Sequence, residues 1–349
     1  MREYTHAWIA LKAIQFLKDR LPDFHPVRQG SAERLLGFLS HHASGFLGSA
    51  RFPDNMLPDV PHGRYALRYG NDPSGKIVRF RPPSHHQCLP LVRKHLMEPV
   101  RRDIVCCDLP DQCEALSQTI RDATVASVMD TEGLVCLNCS RVAVYLLMLA
   151  NHVADACVPL RCDSRDFHNI GVVLLDTEDY WESAVKRFHW ISVGDERFDL
   201  NAAGHIHVKT NMPGWDTSIL RQCDDILASV DWQNMTTANG HWSALLGHTN
   251  QNIWDYVVSV CRVSFQMSLL MYPLQPERGV KHNALKLEEV SPHGEQLARH
   301  SSAILADAIM SVALTWLATW ERREQRSSEV RRRVCSSSSS GLAEGCLRV

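Results

Sequence analysis

Apolar positions recur with a helical period along most of this chain, in blocks separated by polar or proline-rich stretches. Residues 5–21 carry an amphipathic pattern in which His6, Ala10, Ala13 and Leu17 share one face, with Lys12, Lys18 and Asp19 elsewhere. A linker with two prolines, 22–29, leads to a second helical block at 31–48 around Leu35, Leu36, Phe38 and Leu39. That block runs into a Gly-rich turn closed by Asp54. Turn formers dominate 68–90, with at most a short strand pair near 76–81. Residues 91–100 and 113–128 again read as helices. The most apolar helix then opens near Cys136 and runs to Pro159, which ends it because residues ahead of a proline leave the α region. Short strands or loops follow at 188–208, helices at 217–230 and 249–272, and a last helix at 294–322. The helices far outnumber the strands, so the expected fold is all-α (mainly α): a single helical domain over 1–325 with long irregular loops. Residues 326–349 are rich in Ser and Arg and have no apolar period, which predicts a disordered tail.

One block breaks its own pattern. Asn151, His152 and Asp155 stand in the middle of the apolar central helix, spaced three and four apart so that they share roughly one face. A carboxylate in such a helix is costly unless it is paired, hydrogen-bonded or bound to metal. Beyond Pro159 comes a polar loop with Arg161, Asp163, Arg165, Asp166 and His168, then the acidic-aromatic run Glu178-Asp179-Tyr180-Trp181-Glu182. The grouping reads as a site, with metal binding first among its uses, and satisfied core residues are the competing reading. His6 faces inward from the first turn of its helix or sits half-exposed as a capping-turn residue. Asp54 is a turn residue or a ligand, and His62 follows eight residues later. The pair His85-His86 reads as surface loop. Cys136 and Cys139 form a CxxC better explained as core thiols than as a working dithiol. His205 and His207 alternate as on a strand, with nothing nearby in sequence to complete a metal site.

Composition narrows the picture only a little. At 349 residues, 45% hydrophobic and 22% charged with a formal charge of −2, the chain has an ordinary globular make-up and no bulk attraction for nucleic acid or membrane. No stable nucleic-acid complex is expected. Its 12 cysteines fall short of a disulfide scaffold, and the first twenty residues lack the layout of a secretory signal. Reduced thiols and a cytoplasmic location are the expectation. Residues 303–320 are the nearest approach to a membrane span, but Asp307, Ser311, Thr315 and Thr319 interrupt them, so a buried helix is expected and no transmembrane segment. The chain holds no GxGxxG, P-loop or GxSxG motif.

Three pieces together carry a resemblance: YTHAWIALKAI, FLGSARFPDN, and NHVADACVPLRCDSRDF followed by EDYWE. They resemble the zinc-dependent phospholipase C family, whose helical fold is shared with fungal single-strand nucleases, and the likeness touches most of residues 1–182. The resemblance implies one to three zinc ions in a cleft between helices, acting on a phosphate-ester substrate, either phospholipid or nucleotide. Such ions generate hydroxide from bound water at neutral pH and stabilise phosphoryl charge. It makes His6, Asp54, His62, His152, Asp155 and Glu178 the metal-ligand candidates, with Asp54 as the catalytic carboxylate. The chain also departs from the family pattern. Asn151, Arg161 and Leu174 stand where the family has histidines, and a guanidinium repels a metal ion. Asn151 and Arg161 are therefore candidates for substrate contacts, or Arg161 forms a buried ion pair with Asp155 in place of a metal bridge. The two functions left in view are a zinc-dependent phosphoric-ester hydrolase and a catalytically inactive binding protein on the same fold.

Overall fold

The computed structural model describes residues 1, 3–49, 70–71, 77–78, 109–129, 135–162, 177–178, 180–185, 190–193, 196–199, 218–231, 253–271 and 294–345. Asp54, His62, His85, His86, His168, Leu174, His205, His207 and the helix expected at 91–100 lie outside them. The described part is helical almost throughout: α1 (Glu3–Arg20), α2 (Pro26–Ser49), α3 (Leu109–Met129), α4 (Val135–Ala156), α5 (Ser218–Ser229), α6 (Ile253–Met271) and α7 (Gly294–Gly345). Two small antiparallel ribbons join them, β1 (Gly70–Asn71) with β2 (Ile77–Val78) and β3 (Trp190–Val193) with β4 (Glu196–Asp199). The all-α expectation is met.

The face read from the first block is buried, with His6, Ala10, Ala13 and Leu17 inside, but so is most of the rest of α1, and Lys18 and Asp19 face solvent. The second helix begins earlier than its apolar pattern does. Pro26 opens α2, where a missing N–H costs nothing and a fixed φ already suits the helix. The expected linker shrinks to a 3-10 turn at Leu21–Asp23 and a buried Phe24. Pro159 acts as expected, since α4 ends at Ala156 and the proline opens a 3-10 turn, Pro159–Arg161. The last carbonyl of α4 is not left open: Ser264 Oγ donates to Ala156 O at 2.6 Å and Cys162 Sγ at 3.3 Å.

The longest helix, α7, packs against each of the other six. Ile304, Leu305, Ile309, Val312, Leu314, Trp316 and Leu317 fill the centre, and burying each such side chain contributes about 1.5–3 kcal/mol. Trp316 also donates from Nε1 to Leu146 O at 2.7 Å, tying α7 to α4. By length and composition the stretch His300–Val330 is apolar enough to cross a membrane, and 89% of its most apolar window is buried against the other helices. The helix runs past the expected end near 322 to Gly345, at about 1.5 Å per residue, through the segment assigned above to a disordered tail. Pairing across and along the helix accounts for the first part of the extension, as far as Arg332. Arg28 meets Glu321 and Arg34 meets Glu324 from α2, Arg326 meets Glu329, and Ser327, Ser328 and Arg332 donate to carbonyls one turn back.

Candidate functional site

Three elements meet where the apolar pattern of α4 breaks. Asp155 sits in the last turn of α4, 6% exposed among Val153, Ala154 and Ala156. Arg161 follows on the 3-10 turn that Pro159 imposes, so the proline that stops the helix also folds the guanidinium back over the carboxylate. Its Nη1 lies 3.2 Å from Asp155 Oδ2, and its Nη2 lies 2.9 Å from Glu178 Oε1. Glu178 and Glu182 stand one turn apart on the helical residues 177–178 and 180–185, and both are buried.

The third element is the start of α1. Glu182 accepts hydrogen bonds from the backbone N–H of Tyr4 at 3.2 Å, from the backbone N–H of Thr5 at 2.9 Å and from the Thr5 hydroxyl at 2.8 Å. These first-turn N–H groups have no partner within their own helix, and the positive end of the helix dipole favours a carboxylate there. Glu182 therefore holds the first turn of α1 against the mid-chain, and with it His6 and Met1. His6 Nε2 comes within 3.3 Å of Asp155 Oδ1. The α-amine of Met1 donates to Asp155 Oδ1 at 2.6 Å and lies 2.9 Å from Glu178 Oε1.

The electrostatics follow from this placement. Burial pushes the Asp155 carboxyl up, but the Arg161 guanidinium, the Met1 amine and His6 outweigh it and hold the group well below the usual carboxylate range. For Glu178, burial and the neighbouring Asp155 raise the carboxyl, while the Met1 amine and Arg161 bring the balance down to about 2. Two carboxylates thus face two fixed cations, and the cluster is formally neutral. Asn151 lies buried one turn before Asp155, and His152 is buried beside it. Neither His6 Nδ1 nor Asn151 Oδ1 finds a hydrogen-bond partner among the described residues.

Of the residues singled out by pattern or resemblance, His6, Asp155, Arg161 and Glu178 come together, and the ion pair of Asp155 with Arg161 is present. Asp54 and His62 lie outside the described residues. Among the described residues no group of three or more His, Cys, Asp or Glu is arranged to hold a metal ion. The donors do not fit zinc as they stand, because a guanidinium and an amine occupy the carboxylate oxygens that would bind it. Pattern reading overlooked Glu182. The available signals were its place one turn after Glu178 and the Thr5 in the first turn of α1. The chain matches no protein-family model, no curated protein and no solved structure.

Proposed function

We propose that this protein is a non-catalytic helical binding protein on a phospholipase C-like scaffold, its carboxylates held by fixed cations where that scaffold would carry zinc. The observation that supports this reading is the Arg161 guanidinium lying within ion-pair distance of both Asp155 and Glu178. A buried pair of this kind needs its charges matched and hydrogen-bonded, and these are. In a matched cluster the two carboxylates are already answered by the guanidinium and the amine. Its work is to fasten α1 to residues 155–182 and to shape the surface around Arg161 for an anionic ligand or another protein. Protein purified without chelator should then carry substoichiometric zinc and leave bis(p-nitrophenyl) phosphate intact. Stoichiometric zinc that Asp155→Asn releases, together with hydrolysis lost in the same variant, would overturn the reading.

A second reading, zinc-dependent phosphoric-ester hydrolysis, draws on one observation. The His6 imidazole converges with two carboxylates and keeps a buried Nδ1 without a described partner. On that reading His6, Asp155 and Glu178 would belong to the donor set with Asp54 and His62, and Arg161 would turn toward a substrate phosphate. Zinc, when bound, would supply a water acidic enough to attack at neutral pH. The same metal analysis separates the two readings, and His6→Ala should then abolish both zinc and activity.

A further inference from the structure

A second carboxylate, half-buried, stands apart from this cluster. Asp307 lies on α7 between Ala306 and Ala308, both fully buried, and it lines a cavity of about 280 Å³ bounded by α6, α7 and Cys157. Among the described residues no cation or hydrogen-bond donor pairs with it. Most of the wall is apolar, from Val260, Val263, Met267 and Ile304.

The hydroxyl oxygens of that wall have one sense. Ser264 Oγ spends its proton on Ala156 O at 2.6 Å and Ser259 Oγ spends its proton on Asp255 O at 3.1 Å, so both hydroxyls can only accept further bonds. The Tyr256 hydroxyl has no accessible surface, which leaves the ring as what that residue shows the cavity. Burial raises the Cys157 thiol and the Tyr256 phenol, and the Asp307 charge raises both further, so the two titratable groups facing Asp307 stay neutral. The cavity thus combines a carboxylate with no partner among the described residues, acceptor oxygens, an aromatic ring and a thioether. A ligand that satisfies it must donate hydrogen bonds, carry positive charge and bring an apolar body.

We propose that this cavity is a binding site for a small organic ammonium ion, an amine on an apolar body, with the Asp307 carboxylate as its counter-ion. The site does not depend on the reading of the Arg161 cluster. Burial lifts the Asp307 carboxyl to about 6, so the anion that binds the amine is present at neutral pH and is lost below it. The amine keeps its charge throughout that range, as a lysine side chain does.

Calorimetric titration with 2-phenylethylamine, 2-phenylethanol and phenylacetate at pH 7.5 tests the assignment. The amine should bind about tenfold or more tightly than the alcohol, the gain expected of a hydrogen-bonded charge pair over a neutral contact, and phenylacetate should give no heat. Asp307→Asn should abolish the preference for amine over alcohol. On the wild-type protein the preference should shrink toward unity between pH 7.5 and pH 5, a readout that stands even where the variant does not fold. No amine binding, equal affinity for amine and alcohol, or a preference indifferent to pH would each overturn the proposal.

Discussion

Replacing Arg161 with methionine tests the central cluster most directly, because it removes the guanidinium while keeping an unbranched chain of similar reach. The side chain is 14% exposed and faces two carboxylates that are 9% and 5% exposed, at 3.2 Å and 2.9 Å. At the effective dielectric suited to partly buried pairs, each contact has a gross Coulomb energy of about 5 kcal/mol, most of it offset by desolvation. What counts in the variant is the carboxylate left behind. With Arg161 gone, the Met1 amine and His6 must serve both acids, and an uncompensated buried charge costs about 3–5 kcal/mol. The residual exposure of Arg161 argues for the lower end, about 3 kcal/mol. Urea unfolding followed by circular dichroism at pH 7 should show the midpoint falling with an unchanged slope. Adding Glu178→Gln should restore part of the loss, since it removes the charge that the arginine no longer answers. A change in Arg161→Met within about 0.5 kcal/mol of wild type, the range of an ordinary surface substitution, would refute the argument that this pair is buried and matched.

Other outcomes follow from the same contacts. Glu182→Ala strands three donors at the head of α1 and should cost about 2–3 kcal/mol, with faster hydrogen exchange at the Tyr4 and Thr5 amides as the local readout. Acid should weaken the fold through Glu178. Its carboxyl is lowered from 4.5 to about 2, so its contribution is complete above pH 4.5 and disappears as pH falls toward 2. The full loss is about 3 kcal/mol, about 2 kcal/mol of it reached by pH 3, and it should flatten in Glu178→Gln when urea midpoints are compared at pH 6 and pH 3. Asp307 has the opposite sign. Its carboxyl is raised from 3.8 to about 6, so the folded state holds the proton more tightly, and stability falls as pH rises through that window. Asp307→Asn should remove the slope and stabilise the ligand-free protein at pH 7.5 by up to about 3 kcal/mol, read by thermal unfolding at pH 4 and pH 7.5.

The helical character and much of the site were legible because period and punctuation agreed. Polar residues at three- and four-residue spacing inside an apolar helix marked Asp155, and a proline four residues on placed Arg161 where it now lies. The inward face of the first helix brought the His6 imidazole to Asp155 across about 150 positions, a convergence the pattern proposed without being able to measure. Boundaries were less legible. The start of α2 depends on a proline that reads as a linker residue in sequence yet suits a first turn. The turn of α7 just past 322 is held by arginines of α2, which no local window connects to Glu321 and Glu324. The Glu182 cap and the Met1 amine were hidden for the same reason, since their partners are distant in sequence. The cavity at Asp307 left the faintest mark: one acid in an apolar run, noted above as a reason against a membrane span.

The position of α7 bears on how the protein comes into being. A chain leaves the ribosome from its amino end, so the six other described helices exist before the one that all of them lean on. Until residues 304–317 have emerged, the earlier helices leave exposed the greasy sides they will later share, and final consolidation must wait for α7. Premature termination anywhere ahead of Ile304 would thus leave an assembly without its keystone, however intact the Arg161 cluster upstream.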